Sequence, residues 1–599
     1  MRKLRRWWRR SVAPRALPAF VPPEMPVGRW LAALRADGVQ LAVMCDIEGI
    51  ADASADRLVL LVADENMPAV RAATTTRGKL PCDLYSLSGI SGSQYHDLAY
   101  LPVPCGCWLL EQARSDSRGR LPPEALLRVE AFHQAYHLGI EPTGERRVLL
   151  ERLSEACCEG PQSPLTLERL DAWLADLGWR PPYDTLEKLA PMSPWVAEWL
   201  AREALPLDDA RRGLAVFLVR ECGLGALEMV RRRLFDDGFE LLTEGVVDAR
   251  VHPQAIRDIR GGNWSRGPWP VSGGPPAYYL VVHDVMPQAV DEGLQVKHPG
   301  LDNARLLKTK LAVRDRYNRD RPRAEQCNIL HSSDNARQAL AYLEVLAPEC
   351  IEEVVECAEA LQKEFHCPYP VLADLSGNAR RAKVELIDFH GQPAICKTFR
   401  RGRERFLARE VEARHLASDL EEVSRLLEVG PNHLVFERYE NAMAEISAWR
   451  PMLHRYPVLP LWVVQRLQEV IRHYRRLGYE CVDLKPGNLL FDPDKGLKVI
   501  DFEFLQEGGR CTDQLRGNLA WFAPQEDFRG DLPVLRQPRD LYYRRWFRHT
   551  ALPLFFCLHA FPRPVLVVVR VATLGYFSVL NVCRAVLQGR GSHSPRHQP

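Results

Sequence analysis

A chain of 599 residues has room for several domains. Its 46% apolar and 26% charged residues match ordinary globular protein and exclude a collagen-like, low-complexity or wholly disordered chain. Lys and Arg (79) balance Asp and Glu (77), and a net charge of +2 gives no ground for expecting a nucleic-acid partner.

The chain begins with concentrated positive charge. Arg2, Lys3, Arg5, Arg6, Arg9 and Arg10 surround Leu4, Trp7 and Trp8, a composition drawn to anionic lipid headgroups. Residues 1–28 read as this basic segment followed by a linker, since 11–28 hold five prolines. No apolar run follows the basic start, so no secretory signal is expected. The chain is read as cytoplasmic, with a candidate peripheral contact at a membrane. The 16 Cys are scattered. The close pairs Cys105/Cys107 and Cys157/Cys158 have no second pair at zinc-ligand spacing, and the reading is buried free thiols.

Residues 29–205 alternate strand-like runs (Leu58–Val62) with helical patterns such as LTLERLDAWLADLGW. ADRLVLLVADE at 55–65, after the helical LAALRADGV, resembles the nucleotidyltransferase pattern of a strand carrying two metal-binding Asp. Asp56 matches the first, and Leu58 stands at the second, so the resemblance implies an α/β module without two-metal catalysis. Tyr95, His96, His133 and His137 lie nearby in sequence. The i, i+4 pair His133/His137 lacks a suitably spaced acidic partner, so a core or solvated pair is expected rather than a metal site.

Residues 206–350 open with a strand, an amphipathic helix and a second strand. A Gly/Pro/Trp-rich loop and the apolar strand AYYLVVHDV follow. NILHSSDNARQA at 328–339 then resembles the N-x-x-H-[GA]-S-D of nucleoside diphosphate kinases, with Asn328, His331, Ser333 and Asp334 matching. KLAVRDRYN at 310–318 resembles that family's T-I-R-G-D-[FY], with Arg314 in the place of its phosphate-binding Arg. The resemblance implies a ferredoxin-like α/β sandwich, a catalytic His331 that carries a phosphoryl group, and Arg314 and Asn328 as nucleotide-binding residues. Two positions depart from the family: Arg220 stands for its Lys, and Tyr342 for the Glu behind its His. The plain alternative for His331 is a polar residue at a helix start.

Residues 351–369 read as a helical connection to the block 370–545. There AICKTF at 394–399 is an apolar strand carrying Lys397, which must be paired to keep its charge. FLAREVEARHL at 406–416 offers Glu410 on a helix. YECVDLKPGNLLF at 479–491 brings Asp483, Lys485 and Asn488, and LKVIDFEF ends a strand at Asp501. RGNLAWFAPQE closes the series at 516–526. In this order the strings resemble a protein kinase of the Ser/Thr type. The resemblance implies catalytic roles for Asp483 and Lys485, and ATP binding by Lys397, Glu410 and the glycine loop, here reduced to Gly377. It also implies Asn488 and Asp501 as Mg2+ ligands. Departures are Cys481 and Val482 before Asp483, Glu503 in place of the Gly after Asp-Phe, and Gln525 near the end.

The stretch 546–588 is apolar but interrupted by Pro553, Pro562, Arg563, Pro564 and Arg570. Without an uninterrupted run of ~18 apolar residues it is expected to form buried helices, with a monotopic membrane contact or a spanning helix as the alternatives. The tail 589–599 is expected to be disordered.

The reading is thus an α+β multidomain protein: a bilobal protein-kinase-like fold, a ferredoxin-like sandwich and an N-terminal α/β module. It is expected to use ATP and Mg2+ to phosphorylate a hydroxyl acceptor, first of all Ser or Thr of a protein. The alternatives are a glycan, lipid-linked sugar or small-molecule kinase, or an inactive nucleotide-binding scaffold.

Overall fold

The computed structural model describes residues 18–45, 57–95, 98–157, 160–203, 211–376, 381–447, 458–508, 511, 515, 530–531, 543, 546–559 and 561–589, the last nine by backbone only. The basic segment 2–10, Asp56, His96, Cys158, Gly377, the 516–526 string and all but the first residue of the 589–599 tail lie outside the described residues. The chain divides into two compact units, Met1–Glu364 (unit 1) and Phe365–Pro599 (unit 2), and its secondary structure mixes helices with several small sheets. Residues on both sides of the expected 205/206 boundary belong to unit 1. Glu187 accepts hydrogen bonds from Asn335 and Gln338 across it, at 2.6–2.9 Å.

Unit 1 begins with a three-stranded sheet, β1 (Leu41–Val43), β2 (Leu58–Val62) and β3 (Cys82–Ser86), antiparallel between β1 and β2 and parallel between β2 and β3. Alternation along β2 sends Leu58, Leu60 and Val62 against Trp30 and Leu31 of helix Val27–Ala36. Leu61 packs into a second core with Leu109 and Phe132.

A four-stranded antiparallel sheet follows, with strands β4 (Leu214–Arg220), β5 (Glu240–Val246), β6 (Pro276–His283) and β7 (Leu330–Ser332) in the order β5-β6-β4-β7. Strand β4 is buried along its whole length because both its faces are covered. Leu214, Val216 and Leu218 meet helices Ala336–Leu346 and Ile351–Glu364. Ala215, Phe217 and Val219 meet helices Leu227–Asp237 and Ala304–Asn318.

Unit 2 opens with a five-stranded antiparallel sheet. Its strands are β8 (Val371–Asp374), β9 (Ala382–Phe389), β10 (Gln392–Phe399), β11 (Leu426–Val429) and β12 (His433–Glu437), in the order β11-β12-β10-β9-β8. On β10 the period of two sends Ala394 and Cys396 into one cluster and Phe399, beside Lys397, into another.

Helix Glu404–Leu416 follows β10, and the rest of the unit is built on helix Leu461–Arg476. Its Val463, Val464, Leu467, Val470, Ile471 and Tyr474 repeat at helical spacing and form the centre of that core. Two small ladders complete it: β13 (Tyr479–Cys481) with β16 (Leu505–Glu507), and the hairpin β14 (Leu489–Asp492) with β15 (Gly496–Val499).

The C-terminal stretch meets the expectation of buried helices only in its first part, where Trp546, Leu552 and Cys557 enter the core around helix Leu461–Arg476, in and beside the short helices Phe547–Thr550 and Leu554–Leu558. The one long helix that follows, Arg563–Gly589, departs from it: its window Arg563–Leu580 is only 6% buried at a mean hydropathy of 1.5. Pro564 sits in the first turn, where a missing N–H costs nothing, so it starts the helix instead of breaking it. By length and composition this helix is apolar enough to cross a membrane.

Candidate functional site

In unit 2, strand β10, helix Glu404–Leu416 and the turn after β15 deliver charged side chains to one cavity of about 300 Å³. Lys397 Nζ lies 2.7 Å from Glu410 Oε1, 2.8 Å from Asp501 Oδ1 and 2.7 Å from Glu503 Oε1. Glu410 Oε2 is paired with Arg414 one helical turn on and accepts the Phe502 N–H at 3.0 Å, which ties the helix to the segment carrying Asp501. Asn488 Nδ2 donates to Asp483 O at 3.1 Å and to Asp501 Oδ2 at 3.4 Å. Lys485 Nζ donates to Asp483 Oδ2 at 2.7 Å.

These groups sit in low dielectric, and their charges decide their protonation. Burial opposes the charge on Lys397, but Asp501, Glu410 and Glu503 overcome it and raise its pKa. Burial likewise pushes Asp501 up, and Lys397, with Lys485 and Arg381, outweighs it and holds the carboxyl at about 2. Glu410 is held below the ordinary range by Lys397 and Arg414, against the cost of its burial. Asp501 adopts φ 66°, left-handed backbone that is rare for a residue with a Cβ and costs on the order of 1–3 kcal/mol.

Sequence reasoning placed the Glu503 side chain beside the metal site but missed its partners. Its carboxylate is buried between Lys397 and Arg381. Glu410, Asp501 and Glu503 bring ligand oxygens within 4.8 Å of one another, a group that can hold a metal ion. The signal available in the sequence was a carboxylate two positions beyond Asp501 in IDFEF.

Unit 1 has its own charged cavity, about 460 Å³, with Lys188, Arg260, Lys310, Arg314, Asn328, His331 and Asp334 among its lining. His331 is on strand β7, paired with Leu218, and not at a helix start. Tyr342 OH donates to Asp184 Oδ2 at 2.7 Å, so the 2.9 Å contact between His331 Nε2 and that hydroxyl is a bond donated by the imidazole. Burial and then Arg260 and Lys310 press the His331 pKa well below its ordinary value, leaving a neutral ring protonated on Nε2.

Burial lowers Lys310 to about 8, against the nearby Asp334, and lowers Arg314 to about 9, helped by Arg260. Arg314 also donates to Leu330 O at 2.9 and 2.6 Å. Ser333 exchanges hydrogen bonds with the Val216 backbone, which is a structural task.

Arg220 is not among the residues that line this cavity. It is buried, and it donates to the carbonyls of Trp264, Ser265 and Gly274, which fastens the Gly/Pro/Trp loop. That loop packs so closely that a Cβ on Gly273 would stand 1.9 Å from Asn328 O.

His133 and His137 are core residues on the π-helical turn His133–Leu138. His133 Nδ1 meets Tyr100 OH at 2.5 Å, and His137 Nε2 meets Tyr100 O at 2.9 Å. Burial lowers His137 to about 4.

No family model matches this sequence, and no curated protein matches it at a significant level.

Proposed function

We propose that unit 2 is a bilobal protein-kinase-like domain that transfers the γ-phosphoryl group of ATP to an acceptor hydroxyl, first of all that of a Ser or Thr side chain. The carrying observation is the convergence on one cavity of Lys397, Glu410, Asn488 and Asp501, from four separate segments, with Asp483 bonded to Asn488 through its carbonyl.

In this reading Lys397 binds the α- and β-phosphates and Glu410 orients it. Asp483 positions the acceptor hydroxyl and takes its proton, and Lys485 steadies the γ-phosphate. The hard oxygens of Asp501 and Asn488 fit magnesium, which when bound neutralises charge on the phosphates. The strained backbone of Asp501 supports the reading, because strain of this kind concentrates where a side chain must be aimed.

In unit 1 the strand order β5-β6-β4-β7 supports a ferredoxin-like sandwich. A neutral His331 among cations supports a subsidiary reading, in which its Nδ1 attacks a nucleotide γ-phosphorus and releases the nucleoside diphosphate.

The test is incubation of the full chain with γ-labelled ATP and Mg2+ and panels of protein and glycan acceptors. Label on an acceptor, lost in Asp501→Asn, is the expected result. A chain whose melting temperature rises with ATP but which consumes none is a scaffold, and that outcome overturns the reading.

A further inference from the structure

Helix Arg563–Gly589 has two unlike faces. One packs on unit 2. Leu566 joins the core around helix Leu461–Arg476, and Phe577 meets Phe547 with ring centroids 5.1 Å apart. Arg570 turns its guanidinium onto the carbonyls of Thr550, at 2.8 Å, and Leu459. The charge that interrupts the apolar sequence is therefore spent on the domain.

The opposite face is exposed among the described residues. Val565, Val567, Val568, Val571, Tyr576 and Val579 are 40–69% exposed. Every exposed residue from Val565 to Val579 is Val, Ala, Gly or Tyr. A soluble monomer seldom leaves so continuous an apolar stripe in water.

Charge indicates what covers it. Residues 541–599 contain eight Arg and neither Asp nor Glu, and residues 1–10 add five Arg and one Lys without an acid. In a chain of net charge +2, positive charge is thus gathered at the two ends. An apolar face on a segment whose sequence is rich in arginine and free of acids complements a bilayer containing anionic lipid. A helix with one face fixed to a folded core cannot be ringed by lipid, so it lies in the plane of the interface.

We propose that unit 2 docks on an anionic membrane surface through this face, with Val568 and Val571 at its centre and the arginine-rich, acid-free composition of the segment favouring anionic lipid. The proposal does not depend on the kinase-like reading of the cavity.

It is tested by sedimenting the full chain with phosphatidylcholine vesicles, with and without 30% phosphatidylserine. The parent should partition at least tenfold more strongly onto the anionic vesicles. Val568→Glu with Val571→Glu should lose that partition at least tenfold. The milder pair Val568→Ser with Val571→Ser should lose it several-fold, with unchanged circular dichroism for both.

Any of several results would overturn the proposal. One is equal partition of parent and both variants, or no partition of the parent. Another is a parent dimer, seen by light scattering without lipid, that the same substitutions split. The third is a tag placed after Pro599 that external protease removes only once the vesicles are opened, since that shows a spanning helix.

Discussion

Glu503 Oε1 lies 2.7 Å from Lys397 Nζ, so a carboxylate stands where a nucleotide phosphate would meet the same ammonium. Three cations, Lys397, Arg381 and Arg414, face three carboxylates, Glu410, Asp501 and Glu503. Neutralising Glu503 leaves one positive charge in excess, and a bound anion offsets it. Glu503→Gln is therefore expected to lower stability without ligand by about 1–2 kcal/mol. It should also tighten ATP binding roughly tenfold, about 1.4 kcal/mol. Calorimetric titration gives the affinity, and weaker or unchanged binding would sink the assignment of Glu503 as a competitor for Lys397.

Asp501→Asn and Asp483→Asn should separate. Asp501 bonds Lys397 and neighbours Asn488, whereas Asp483 is bonded by Lys485 and faces the acceptor in the proposed mechanism. An amide offers a metal only a dipole where the carboxylate offers a full charge. Asp501→Asn should weaken magnesium-dependent nucleotide binding and cost roughly 10²–10⁴ in transfer rate. Asp483→Asn should cost a similar factor and leave binding near the parent's. Parallel binding and turnover assays that find both variants like the parent would dismiss the site.

Tyr342→Phe removes the hydroxyl that receives the His331 Nε2–H and that bonds Asp184. The imidazole then loses the partner that selects its tautomer. Nitrogen-edited NMR should show a single Nε2–H form in the parent and a mixture in the variant. In protein carrying Asp501→Asn, any acid-labile phosphate on His331 should fall at least several-fold. An unchanged tautomer would show that strand β7, and not Tyr342, sets the ring.

Glu187 gives a pH dependence. Burial raises its carboxyl to about 7, with Asp334 and Asp184 adding to the shift against the Asn335 and Gln338 hydrogen bonds. The folded state therefore binds the proton more tightly than the unfolded state, whose value is near 4.5. Stability is full below about pH 4.5 and declines as pH rises towards 7, by on the order of 3 kcal/mol. Glu187→Gln keeps a carbonyl acceptor for the two amides. It should raise the unit 1 melting temperature at pH 8 and hardly change it at pH 4.5. Equal effects at both pH values would contradict the assignment.

Much of the local structure was legible in the sequence because it depends on near neighbours. The period of two in AICKTF and the helical repeat in FLAREVEARHL are written in a few adjacent residues, as is the strand–helix–strand order from Leu214 to Val246. The same holds for the types and order of Lys397, Glu410, Asp483, Asn488 and Asp501.

Tertiary structure alone decided the rest, because partners distant in sequence set the fate of each side chain. Arg220 stood for the Lys of the resembled nucleoside diphosphate kinases until the loop 44–54 residues downstream supplied the carbonyls that accept its hydrogen bonds. Tyr342 looked like a lost Glu until Asp184, 158 residues away, accepted its O–H hydrogen bond and left its oxygen as the acceptor for His331. The C-terminal prolines and arginines looked like interruptions of an apolar run. Pro564 begins the helix, and Arg570 reaches a carbonyl of Leu459, so the interruption becomes the attachment that leaves an apolar face exposed. Composition limits which elements form, but burial and charge compensation depend on what the fold brings within a few ångströms, and no local pattern encodes that distance.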